Sequence, residues 1–133
     1  MRVKHKNKII WYRHLYMGEH ARKKRYTIVH NIKAGKMLYD VYVVVLPQTE
    51  HNQLELVNAN QLLAPWHRKS ILRIVGIAIG YEEALALLEK MFLDAYRQTG
   101  EYNPRLFIEK DMLSHLCNAK ILKLMTVWDI FYS

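Results

Sequence analysis

The chain has 133 residues, of which 51% are hydrophobic and 24% charged, with a single cysteine and a formal net charge of +8. This is the size and balance of one domain with its own core, and it excludes a disordered or low-complexity chain. One cysteine excludes an internal disulfide and a CxxC metal site, and fits a reducing cytoplasm.

The longest apolar runs, VYVVVL at 41–46 and IVGIAIGY at 74–81, are strand-length, so no membrane span is expected. The first twenty residues start basic but contain no continuous apolar stretch and no small-residue cleavage site, which reads as a chain kept in the cytoplasm. Charge is unevenly spread. From Met1 to Lys36 eleven lysines and arginines stand against one acid, Glu19, while the remainder has nine against eleven.

In chain order, KIIWYRHLYM at 8–17 reads as a strand ended by Gly18. Ala21, Ile28, Val29 and Ile32 recur at helical spacing, giving one basic helix over 19–34 with Gly35 at its C-terminal cap. DVYVVVL at 40–46 is apolar on both faces, as a central strand covered on both sides would be. After a polar loop, LELV at 54–57 reads as a short edge strand, and NANQLLAPWHRKS as a turn with about one turn of helix. Residues 71–79 form the second central strand, with Gly76 and Ala78 on one face and Val75, Ile77 and Ile79 on the other. Ala84, Leu85, Leu88, Met91, Phe92, Ala95 and Tyr96 define a helix from Tyr81 to about Thr99, capped by Gly100. RLFIE at 105–109 reads as a further strand, and Leu113, Leu116, Cys117, Ile121, Leu124, Met125 and Trp128 as a C-terminal helix over about 111–131, lying opposite the helix 81–99 or at an interface.

The expected fold class is therefore α+β or α/β, a mixed sheet of four to five strands with three helices in the order β-α-β-β-β-α-β-α. A ferredoxin-like core is the alternative, and residues 1–133 are read as a single domain. Strand, Gly, acid, helix, Gly occurs twice, at 15–37 and 77–102, so two βαβ-like units arising by duplication are a further option.

Gly80, between strand and helix, raises a phosphate loop, but GxGxxG and GxxxxGK[ST] are absent and Glu82 and Glu83 fill the first helical turn. Gly80 is read as a bend. The seven histidines contain no pair at i,i+2, i,i+3 or i,i+4 and no HExxH, so no metal is expected. His115 and Cys117 point about 200° apart on a helix and make no nucleophile pair, and none of the three serines lies in GxSxG. No catalytic residue and no cofactor emerges.

Two basic groups remain as candidate anion or partner contacts. Arg22, Lys23, Lys24, Arg25, Lys33 and Lys36 lie in the segment 19–36, with Trp11, Tyr12, Tyr16 and Tyr26 nearby for stacking. Trp66, Arg68 and Lys69 lie in PWHRKS at 65–70. A solvated basic face competes with both readings.

LYMGE (15–19), VYVVVLP (41–47), NQLLAP (60–65) and VGIAIGYEEAL (75–85) together resemble a family of small uncharacterised bacterial proteins, mainly of Firmicutes, over residues 11–107. The resemblance implies a bacterial cytoplasmic protein of one compact domain, and no activity, catalytic residue or cofactor. The function expected from the whole sequence is a non-catalytic interaction or regulatory module, with nucleic-acid binding through 19–36 as the alternative and an enzyme of unrecognised type as a third. A protein partner, self-association and nucleic acid are the partners considered; no small-molecule ligand is expected.

Overall fold

The computed structural model of the protein describes residues 8–49, 51–63 and 71–115. Its order is β1 (Lys8–Met17), α1 (Glu19–Lys23), α2 (Arg25–Lys33), β2 (Val41–Val45), β3 (Glu55–Asn58), a 3-10 turn (Ala59–Leu63), β4 (Ile71–Ile79), α3 (Tyr81–Thr99) and α4 over 104–115. The four strands form one mixed sheet in the order β1-β4-β2-β3. β1 and β4 run parallel, while β2 is antiparallel to both β4 and β3. The α+β class, the central places of β2 and β4 and the edge position of β3 agree with the sequence.

Helices cover both faces. Ala21, Ile28 and Ile32 of α1 and α2 pack with Val41, Val43, Val45, Val57, Leu62, Leu72, Ile74 and Ile77 on one side. Ala84, Leu87 and Met91 of α3 and Ile108 of α4 pack with Tyr12, Val44, Leu46, Val75 and Ala78 on the other.

The face assignment within β4 differs from strict alternation. Ile74 and Gly76 stand opposite the consecutive residues Val45 and Val44, so Val75 is an extra, bulged residue. The bulge shifts the period by one: Leu72, Ile74 and Ile77 face α1 and α2, while Val75 and Ala78 face α3. Gly76 faces Leu87 of α3. A β-carbon there would lie 3.1 Å from Leu87 Cδ2 and 3.3 Å from both Val44 Cβ and Cγ2. Gly76→Ala is therefore expected to cost about 1–3 kcal/mol through overpacking, read as a lower urea midpoint with unchanged slope; an unchanged midpoint would contradict this packing.

RLFIE is helical rather than extended. Asn103 Oδ1 accepts the Leu106 N–H at 3.1 Å and Pro104 occupies the first helical position, so the dipeptide Asn-Pro starts α4. Among the described residues no strand follows α3, so these form neither the ferredoxin-like core nor two βαβ units, and the β1–β2 connection joins strands that are neither adjacent nor parallel. The part of the expected C-terminal helix that is described, 111–115, continues α4. It lies on the same face as α3, not opposite it, with Met112 packed beside Ile108. Residues 116–131 of that helix are outside the described residues, as are Trp66, Arg68 and Lys69.

The expected single helix over 19–34 is broken. At Lys24 the backbone N–H turns back to Ala21 O at 3.0 Å, ending α1 inside the run of four cations. Glu19 stands three and four residues before Arg22 and Lys23, but Lys24 and Arg25 have no acid three or four positions away on either side, and Arg22 and Arg25 repel at i, i+3, which withholds support from a continuous helix. α2 then ends in a Schellman motif: Gly35 at φ +70° donates to Ile32 O and Lys36 to Asn31 O.

Candidate functional site

At the carboxyl ends of the parallel pair β1 and β4 the chain leaves in opposite directions, into α1 on one face and α3 on the other. In open α/β sheets such a divergence makes a crevice that takes ligands. Here the chain fills it with its own carboxylate. One oxygen of Glu83 accepts the His20 N–H and lies 3.0 Å from His20 Nδ1, and the other accepts the Ile79 N–H. Burial alone would raise the Glu83 pKa, but these donors outweigh it and hold the carboxyl below its usual range.

Gly18 leaves the space that this arrangement needs, since a β-carbon there would lie 2.5 Å from Glu83 Cδ. Gly80, at φ +89°, makes the bend into α3 and donates its N–H to Asp40 O at 2.8 Å. Both carboxylate oxygens are taken up by main-chain groups, so Glu83 is a cap for two helix starts, related to the capping box. A phosphate would find the crevice occupied by negative charge.

A second polar group joins β1 to the helices over it. Tyr12 donates to Asp111 at 2.8 Å and Tyr16 to Asp94 at 3.1 Å, while Arg13 reaches Asp111 at 3.7 Å and His115 Nδ1 at 2.9 Å. Burial first, and the neighbouring aspartates second, raise both tyrosine pKa values, that of Tyr16 to about 12. A raised folded-state value means stability is fully present below the ordinary value of 10.0 and is lost as pH rises from there towards about 12. Unfolding monitored at rising pH should therefore show stability falling in that window, and Tyr16→Phe should flatten the fall. An equal fall in the variant would contradict a role for Tyr16. These tyrosines, and Trp11 with Lys33 Nζ 5.8 Å from its ring, are engaged, so they form no stacking platform of the kind expected from sequence.

A cavity of about 240 Å³ is lined by Thr99, Glu101, Asn103, Leu106, Phe107 and Lys110. Its polar groups serve the α3–α4 turn: the Thr99 hydroxyl bonds Ala95 O at 2.7 Å, and Asn103 caps α4. Among the described residues no group of three or more His, Cys, Asp or Glu is placed to hold a metal, and no helix is long and apolar enough to cross a membrane.

The segment 20–39 differs from all of these. It has no acidic residue, and Arg22, Lys23, Lys24, Arg25, Lys33 and Lys36 are all exposed. None has a carboxylate partner among the described residues, whereas Arg13 pairs with Asp111, and Arg73 and Arg105 share Glu109 at 3.3 and 3.0 Å. The break at Lys24 brings the last turn of α1 and the first turn of α2 together at this point. α2 begins with no acid in its first turn and no side-chain cap, so its positive end adds to the field of the cations.

Tyr26, His30 and Lys33 are all exposed, and their i, i+4, i+7 spacing sets them on one stripe of α2. The return to β2 lies on the same side of the sheet. Leu38 packs against the α1–α2 core cluster, its N–H donating to Asn60 Oδ1 and its carbonyl accepting from Asn60 Nδ2, both at 2.8 Å. Its neighbours are left outside, Met37 at 77% and Tyr39 at 95% exposure, with Tyr26 at 88%. Tyr39 is the surface residue that the sequence reading missed. The signal was the lone inward Leu38 between two large side chains.

No family model, curated protein or solved structure matches the chain.

Proposed function

We propose that the protein is a non-catalytic interaction module, regulatory in kind, that docks an anionic macromolecule through the α1–α2 surface. The observation that carries this reading is the segregation of charge. Six exposed cations without a carboxylate partner among the described residues are gathered in the acid-free segment from His20 to Tyr39, whereas Arg13, Arg73 and Arg105 are paired and the other exposed cations, Lys8, Lys90, Arg97 and Lys110, stand singly elsewhere. Like charges held together oppose the compact state, and a partner of opposite charge relieves that cost while being steered to the surface. The polar clusters elsewhere are spent on joining elements, which argues against a catalytic reading. The single cysteine supports a cytoplasmic setting, and the resemblance over 11–107 supports a bacterial one.

The test is amide NMR of the labelled full chain titrated with a heparin oligosaccharide at about 50 mM salt. Perturbations are expected at Arg22 to Tyr26, His30, Lys33 and Lys36. Perturbations confined to another surface, or none, would overturn the reading.

A further inference from the structure

We propose that the partner is a single-stranded nucleic acid, its phosphates met by the cations of α1, α2 and Lys36 and its bases stacked on Tyr26 and Tyr39. This rests on the basic-surface reading above and adds the identity of the polyanion.

Two side chains carry the addition. Tyr26 and Tyr39 are 88% and 95% exposed, whereas Tyr12 and Tyr16 of the same chain are packed against the α3 side of the sheet with their hydroxyls bonded to aspartates. Neither exposed ring makes a ring contact among the described residues, and both belong to the acid-free segment 20–39. Tyr26 projects from the outer stripe of α2 beside Arg25, and Tyr39 is turned outward because Leu38 is held in by Asn60. α2, at nine residues, is about 13 Å long; Tyr26 stands in its first turn, and Tyr39 follows Lys33 and Lys36 in the return to β2.

Each candidate polyanion uses this surface differently. A duplex offers phosphates but keeps its base faces inside the stack, leaving both rings without a partner. An acidic protein surface meets the cations but supplies no flat π-faces in series. An unpaired strand supplies both phosphates and free base faces, the combination that sequence-tolerant single-strand binders use. Sequence preference is accordingly expected to be weak.

The experiment is fluorescence anisotropy of the full chain with a labelled oligo-dT, a duplex of equal charge, a heparin oligosaccharide and poly-glutamate, all at about 50 mM salt. Oligo-dT is expected to bind about tenfold or more tighter than the duplex. Tyr26→Ala and Tyr39→Ala should each weaken oligo-dT binding by about tenfold while leaving heparin binding unchanged, and phenylalanine at either position should restore it. Both positions are exposed, so the variants keep the fold. Equal binding of duplex or poly-glutamate, or oligo-dT affinity indifferent to both alanine variants, would overturn this inference while the basic-surface reading stands. No binding of any polyanion would overturn both.

Discussion

Glu83→Ala is expected to lower the unfolding free energy by about 3 kcal/mol. The carboxylate accepts the main-chain N–H groups of His20 and Ile79 and lies 3.0 Å from His20 Nδ1. Hydrogen bonds to a charged group each contribute roughly 1.5–3 kcal/mol, and truncation leaves two donors unpaired at the starts of α1 and α3. Glu83→Gln keeps acceptor capacity at one oxygen and should cost about half as much. Gly18→Ala acts through the same contact, since its β-carbon would displace the pinned carboxylate. The double variant Gly18→Ala with Glu83→Ala should therefore cost clearly less than the sum of its parts, as coupled sites do. Chemical denaturation at neutral pH measures all four.

The same residue sets the acid limb of stability. Its carboxyl is held below the ordinary value of 4.5, so its contribution is present above that pH and is lost as pH falls below it through the folded-state value. Wild type should lose stability on acidification more steeply than Glu83→Ala, the two curves converging at low pH. Parallel curves would remove the carboxylate from the account.

The second large effect concerns binding rather than stability. Changing Arg22, Lys23, Lys24 and Arg25 together to alanine should weaken polyanion binding by at least about a hundredfold at about 50 mM salt, because each cation that neutralises an anionic group also releases a counterion. Stability should stay within about 0.5 kcal/mol of wild type, since all four side chains are exposed and have no ion pair among the described residues. Substituting Arg13, Arg73 and Arg105 instead should destabilise the chain, because each holds a carboxylate or a loop carbonyl, with little effect on binding. This contrast distinguishes a docking surface from a general response to net charge.

Much of the fold was legible in the sequence, for reasons that can be located. Val41 to Val45 have no polar face, which is what a strand buried on both sides requires. The stripe of α3 and its cap at Gly100, with φ +80°, follow from helical spacing and a glycine just beyond it. What escaped was decided by single residues against a pattern. Leu106, Phe107 and Ile108 form a short apolar run that suits strand and helix alike, and Asn103 with Pro104 settled it as helix. The bulge moves Val75 to the α3 face with Gly76 and Ala78, while Ile77 and Ile79 stay together on the other face as expected, and period-two reasoning has no means of signalling an inserted residue.

The candidate site divides in the same way. The cations at 22–25, 33 and 36 were visible because charge density needs no tertiary information. Their exposure and lack of carboxylate partners among the described residues were not, since Arg13, Arg73 and Arg105 look alike in sequence yet find carboxylates 36 to 98 positions away or one turn along a helix. Trp11, Tyr12 and Tyr16 looked like stacking residues until the sheet engaged them, and Tyr39 became one only because Asn60 holds Leu38 inward.

The most direct measurement is the affinity of the full chain for a labelled heparin oligosaccharide between about 50 and about 200 mM salt. A linear fall of log affinity with log salt, which becomes shallower in the Arg22 to Arg25 alanine variant, is the predicted result. Absence of binding at the low salt, or a slope identical in the variant, would contradict the assignment of the α1–α2 surface as the docking site.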